Sequence, residues 1–145
     1  MKTFLSALLL AISILAGSAA ETNAVPASPS IAPDSRCFEL RTYYAAPGKL
    51  EALNARFRDH TCALFKKHGM EIVGFWIPAD KASGAENKLV YMLAYKNREA
   101  ATQAWKDFGN DPEWIKARTE SEADGKLTEK IESVFLSATD YSPLK

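Results

Sequence analysis

Strand-like and helix-like stretches follow each other in this chain in the order β-α-β-β-α-β, and few compact folds accept that order. Phe38 to Tyr44 alternates, with Phe38, Leu40 and Thr42 on one side and Glu39, Arg41 and Tyr43 on the other. Pro47-Gly48 then opens a helix of about 20 residues, with Leu50, Leu53, Phe57, His60 or Thr61, and Leu64 at helical spacing. Lys66, Lys67 and His68 suit its carbonyl end, and Gly69 supplies a left-handed cap. Glu71 to Ile77 reads as a second strand, stopped by Pro78, and Leu89 to Tyr95 as a third. The loop between them is short, so they form an antiparallel hairpin. Asn97 caps a second helix carrying Ala101, Ala104, Trp105 and Phe108, and Gly109-Asn110 breaks it. Asp111-Pro112 restarts it, as cap and first helical residue, and Asp124-Gly125 ends it. Thr128 to Ala138 is the fourth strand.

Right-handed βαβ crossovers turn this order into an α+β, ferredoxin-like sandwich. Its four-stranded antiparallel sheet carries two helices on one face. The opposite face is expected to hold Glu39, Arg41, Tyr43, Tyr91, Tyr95 and Trp76. It is too aromatic to stay bare, and a second copy is its simplest cover. The expected assembly is a homodimer whose sheets enclose a partly polar cavity.

The first twenty residues read as an export signal: Lys2, an apolar run from Phe4 to Ala16, then small residues at Ser18-Ala19-Ala20. The run is shorter than the ~20 residues of a comfortable membrane span, so no span is expected after cleavage. An uncleaved N-terminal anchor is the competing reading. Ser18 stands where a lipid-bearing Cys would be. An exported protein is expected, periplasmic or secreted. Residues 21–36, with Pro26, Pro29 and Pro33 among Ala and Ser, read as a disordered linker. The folded domain is then 37–145. Eighteen Lys and Arg balance eighteen Asp and Glu, and loss of Lys2 leaves 17 against 18, a net charge of −1. That balance argues against a nucleic-acid or anionic-membrane partner.

The candidate cavity-lining residues are Glu39, Arg41, Tyr43, His60, Trp76 and Tyr91. Arg41 would hold an anionic group, Glu39 accept a proton and Tyr43 donate a hydrogen bond. The competing reading is a charge cluster that sets dimer register. His60 reads as a general base or, more simply, a helix histidine bonded at the sheet. Trp76 beside Gly74 leaves room for a ligand or a neighbouring backbone, whereas Trp105 reads as core. Cys37 and Cys62, the only cysteines, leave a disulfide open. Glu120, Glu122 and Asp124 are spaced around a helix and read as a solvated face. No metal site is expected, because CxxC, HExxH, GxSxG and glycine-rich phosphate motifs are absent. No cofactor is expected either.

Several short motifs in order resemble the NIPSNAP family over about residues 37–142. They are Phe38-Glu39-Leu40-Arg41-Thr42-Tyr43, Pro47-Gly48-Lys49, Phe57-Arg58-Asp59-His60-Thr61, Gly74-Phe75-Trp76, Leu89-Val90-Tyr91, Asp111-Pro112-Glu113-Trp114 and Thr139-Asp140-Tyr141. The resemblance implies a dimeric α+β barrel, an architecture that hosts small monooxygenases, isomerases, dehydratases and haem-handling proteins, and by likeness to the last His60 would be a haem ligand. Three functions are open. One is a dimer binding a small apolar or aromatic ligand in its barrel cavity. Another is a cofactor-independent monooxygenase- or isomerase-like enzyme. The last is a protein-interaction role without ligand.

Overall fold

The computed structural model describes residues 27–145. The expected export signal and the first part of the expected linker, residues 21–26, lie outside the described residues. The elements are β1 (Cys37–Ala45), α1 (Leu50–Arg56), a π-helical turn (Phe57–Thr61), α2 (Cys62–Lys67), β2 (Glu71–Trp76), β3 (Lys88–Tyr95), α3 (Arg98–Asn110), α4 (Pro112–Ser121) and β4 (Thr128–Ser137). The sheet runs β2-β3-β1-β4 and is antiparallel at every pairing. Among the described residues, no helix is long and apolar enough to cross a membrane.

Local signals place the helices. Asn97 Oδ1 accepts the Ala100 N–H at 2.8 Å, and Asp111 Oδ1 accepts the Glu113 N–H at 2.8 Å with Pro112 beginning α4. Gly69 adopts φ +72° after α2, where any side chain would be strained. Gly109 and Asn110 do not break α3; the helix runs through both.

The long first helix is interrupted. Between α1 and α2 the π turn widens the backbone by one residue, and the Thr61 hydroxyl donates to the Arg56 carbonyl five positions back at 3.2 Å. This decides between the two residues that helical spacing left tied. Thr61 is buried and His60 is exposed.

The sheet's alternation is as expected, but its faces are exchanged. Tyr43, Leu89, Tyr91, Leu93 and Tyr95 are buried in the layer between sheet and helices, with Phe57, Phe65 and Phe108. The rings of Tyr43 and Phe57 lie 5.5 Å apart, and those of Phe57 and Tyr91 5.2 Å. The Glu39–Arg41–Tyr43 side of β1 therefore points at the helices, and Phe38, Leu40 and Thr42 point away. The physical reason is volume. The sheet-to-helix layer takes large rings that would otherwise lie bare to water.

The outer face is apolar around Leu40 and carries Thr42, Tyr44, Lys88, Lys130 and Glu132 beyond it. Leu40, Val90 and Met92 are half-buried on it, while Val134 and Leu136 are 53% and 38% exposed. One end is covered by the chain itself. The linker was expected to run free to residue 36, yet its last part is docked. Ala32 donates to the Ala138 carbonyl at 2.9 Å, Ile31 bridges Thr139, and Asp140 donates to the Ser30 carbonyl at 2.8 Å. Arg36 pairs with Glu71 at 2.6 Å and donates to the Lys145 carbonyl at 2.8 Å. Ile31 and Ala32 are the apolar residues of this stretch. Ala32 packs to full burial, and burial of that kind offsets the cost of ordering the segment.

Candidate functional site

The helix-facing side of β1 carries a polar cluster inside the core. Glu39 is only 1% exposed and accepts four hydrogen bonds. Arg41 Nη1 and Ser133 Oγ donate to Oε1, each at 2.6 Å. Tyr95 OH donates to Oε2 at 2.8 Å and Trp105 Nε1 at 2.6 Å. The donors come from β1, β4, β3 and α3, so one carboxylate ties the sheet to a helix. Burial works against its charge. The hydrogen bonds of Ser133, Trp105 and Tyr95, with the Arg41 charge, outweigh burial and hold the carboxyl below its ordinary range. A carboxylate with about four lone-pair sites, all occupied, is an anchor and not a ready proton acceptor. The role of general base expected for Glu39 does not fit this geometry.

Arg41 is held by the same network. Its guanidinium carbon lies 4.2 Å from the centroid of the Trp105 ring and 5.6 Å from that of Tyr43. Burial disfavours its charge, but Tyr43, Tyr91 and Glu39 raise its pKa further still, so it stays a cation. Arg41 faces Tyr91 on β3 and Ser133 on β4 directly across the ladders. Its Nε is buried without a hydrogen-bond partner, and the buried Tyr91 hydroxyl has only the Tyr43 phenol beside it. Burial also raises the Tyr91 pKa, keeping that phenol neutral. The cluster is open on one side. Ile131 and Ser133, on the same face of β4, are exposed, and Arg41 keeps 15% of its side chain exposed.

Four of the candidate residues, Glu39, Arg41, Tyr43 and Tyr91, thus meet in one place, beneath the helices and not in a cavity between sheets. The other two lie elsewhere. His60 sits on the outer surface of the π turn with Asp59, Lys67 and Glu113, away from the sheet. Trp76 lies at the free edge of β2, 50% exposed. It borders a groove of about 350 Å³ with Phe57, Arg58, Cys62, Phe75 and Ile77. A Cβ added at Gly74 would come within 2.8 Å of the Trp76 ring, so the glycine accommodates that ring and not a separate ligand.

Sequence reasoning missed Trp105, Tyr95 and Ser133. Two carried a signal: a buried Trp N–H or Tyr O–H needs a partner, and Glu39 is the acceptor in reach. Ser133 carried none. Cys37 and Cys62 are free thiols. Cys37 lies at the end of β1 near Arg98 and Glu99 of α3, and Cys62 on the first helix near Lys66 and the Trp76 groove. Glu122 pairs with buried Arg56 at 3.0 Å, so the acidic run is not wholly solvated. Among the described residues, no group of three or more His, Cys, Asp or Glu is placed to hold a metal ion.

On the outer face, Phe38, Met92, Leu136, Ala138, Ser142 and Leu144 line an apolar recess of about 230 Å³ between the sheet and the C-terminal tail.

Residues 38–143, nearly all of the described domain, match the NIPSNAP family. The chain belongs to that family. Solved structures agree with the match. A NIPSNAP family protein of unknown function from Agrobacterium tumefaciens superposes on this NIPSNAP chain with a TM-score of 0.69 at 22% identity, over 80% of this chain and 99% of that one. An uncharacterised NIPSNAP-like domain protein from Burkholderia xenovorans gives 0.65 at 17% identity, over 76% and 90%. A putative antibiotic biosynthesis monooxygenase from Nitrosomonas europaea gives 0.51 at 16%, over 70% and 97%. At these identities the likenesses establish the ferredoxin-like α+β fold of the NIPSNAP chain and nothing of its chemistry. No curated protein matches it.

Proposed function

We propose that this NIPSNAP domain works, after export, as a homodimer that binds a small apolar or aromatic ligand between its two sheets. The carrying observation is the outer face. Leu40, Val90, Met92, Val134 and Leu136 form an apolar patch, bounded on one side by Thr42, Tyr44, Lys88, Lys130 and Glu132, and such a patch calls for a cover. A second copy supplies a self-complementary one, because a two-fold axis sets the same patch against itself. The recess of about 230 Å³ lies at the end of this face, beside the tail. Covered by a second sheet, it would be an enclosed apolar space suited to a small ligand. The exchange of faces sharpens this reading. Glu39, Arg41, Tyr43 and Tyr91 lie on the helix side, and the recess end of the outer face is apolar, which favours an apolar ligand there.

The test is the assembly state and bound mass of the purified protein by native mass spectrometry, beside Val134→Glu and Leu136→Glu. The expected result is a dimer that releases a small molecule on activation, and monomers for both variants. A wild-type monomer would end the barrel reading, and a dimer with a tightly packed, ligand-free interior would leave only protein interaction.

A further inference from the structure

We propose that the groove between the first helix and the end of β2 binds a small apolar carboxylate, with Arg58 as the group that takes its charge. The site is independent of the space between the sheets. The groove has a volume of about 350 Å³, in the range of small-ligand sites. Phe57 of the π turn and Leu89 of β3 line it and are buried, so its floor is closed and apolar. Phe75 and Ile77 line it from the β2 side. Ile77 is 41% exposed and follows half-exposed Trp76, so two large apolar side chains in succession stand at the margin without a cover.

The polar groups come from one row. Asn54, Arg58 and Cys62 follow at intervals of four along the first helix, and all three line the groove. Arg58 carries the argument. It is exposed, and among the described residues no carboxylate lies within ion-pair distance of it and no aromatic ring lies under its guanidinium. The other arginines are engaged: Arg36 with Glu71, Arg41 with Glu39, Arg56 and Arg118 with Glu122, and Arg98 over the Phe135 ring. Lys66 adds positive field beside Cys62. Of the nearby acids, Glu51 takes the Asn54 amide at 3.4 Å, and Asp59 lines a separate recess with His60 and Lys67. A free guanidinium at the rim of an apolar groove matches the two ends of an apolar carboxylate. The fork takes both oxygens, and the body of the ligand covers Phe75 and Ile77. A neutral ligand would leave Arg58 unused, and a bare anion would leave the apolar wall in water.

The probe is 2-naphthoate, compared with 2-naphthamide, the same body without the charge, and acetate, the charge without the body. The readouts on the purified protein are calorimetric affinity and the alkylation rates of Cys62 and Cys37 by mass spectrometry. Cys62 is half-buried at the groove, and Cys37 lies away from it near α3, so it is the internal control. Naphthoate is expected to bind about tenfold more tightly than either comparison compound, and to slow alkylation of Cys62 but not of Cys37. Arg58→Gln is expected to weaken naphthoate about tenfold, the loss of a charge-assisted hydrogen bond, with an unchanged melting temperature, because Arg58 has no partner in the described domain to lose. Arg58→Lys keeps the charge and is expected to recover most of the affinity. Equal binding of naphthamide or acetate, unchanged affinity in Arg58→Gln, or no protection of Cys62 would each overturn the site. Naphthoate binding that survives Arg58→Gln and fails in Leu136→Glu would overturn it too, by placing the ligand on the outer face.

Discussion

Replacing Glu39 with Gln tests whether the buried carboxylate organises the domain. The change keeps the shape and removes the charge. Only one end of a Gln amide accepts hydrogen bonds. If its oxygen stays with Arg41 and Ser133, its NH₂ confronts Tyr95 and Trp105, which both donate. If it turns round, the NH₂ confronts the Arg41 guanidinium. Either way two hydrogen bonds to a charged acceptor are lost, each worth roughly 1.5–3 kcal/mol. Arg41 is left without its counter-charge, and breaking a buried pair from one side costs about 3–5 kcal/mol. These overlap, so the expected loss is about 3–5 kcal/mol from a domain that holds on the order of 5–15. Urea titration followed by far-UV circular dichroism reads it directly, with a fall in melting temperature of roughly 12–20 °C.

The pH dependence supplies a second check on the same variant. The folded-state pKa of Glu39 lies below its ordinary 4.5, so its contribution is complete above that value. It is lost as pH falls through the depressed folded pKa, because a protonated Glu39 resembles Gln. The gap between wild type and Glu39→Gln should therefore close in acid below about pH 4.5 and stay constant near neutrality. A loss under about 1 kcal/mol at pH 7, or a gap that does not narrow in acid, would refute the anchoring role.

Asp111 caps α4 and also takes His68 Nε2 at 2.7 Å and Lys67 Nζ at 2.9 Å. Asp111→Ala should lower the melting temperature more than Asp111→Asn, which retains the cap acceptor, and equal melting would show that the cap contributes nothing. Gly74→Ala places a methyl against the far end of the Trp76 ring, which is half exposed and free to swing. Its stability cost should stay below about 1 kcal/mol while the Trp emission changes, and a large loss would mean that the ring is pinned. Cys37 and Cys62 lie in different neighbourhoods, and burial raises both thiol pKa values. Slow alkylation at two thiols per chain is expected, with no mass shift on reduction.

The architecture was legible because each element carried its own punctuation. Asn97 and Asp111 cap the later helices as their positions suggest, and Gly69 closes the first. The grouping of Glu39, Arg41 and Tyr43 was legible too, since a period of two states which residues share a face. It does not state which face that is. Phe38 and Leu40 look more like core residues than Glu39 and Arg41 do, so apolar character alone turns β1 the wrong way round. The deciding facts lie far away in sequence: the Trp105 N–H on α3, the Tyr95 hydroxyl on β3 and the Ser133 hydroxyl on β4 converge on one carboxylate. The choice between His60 and Thr61 was hidden for a local reason. It depends on a π turn, and nothing in Phe57-Arg58-Asp59-His60-Thr61 breaks helical periodicity.

Turning β1 over changes what the two sides of the sheet can do. With Glu39 and Arg41 outward, one space between two sheets would have had to serve both polar recognition and dimer packing. These demands conflict, because an unpaired charge in an interface costs stability and a polar wall weakens sheet-to-sheet contact. The observed arrangement separates them. The outer face leaves Leu40, Val90, Val134 and Leu136 as an apolar patch for the proposed association. The helix side keeps a neutralised ion pair, anchored by four donors. A substitution at Val134 should then alter the proposed assembly without disturbing the Glu39 cluster, and Glu39→Gln should lower stability without altering assembly. If Glu39→Gln changed the assembly state, the two sides would be coupled through the sheet and the separation argued from the facing of β1 would be wrong.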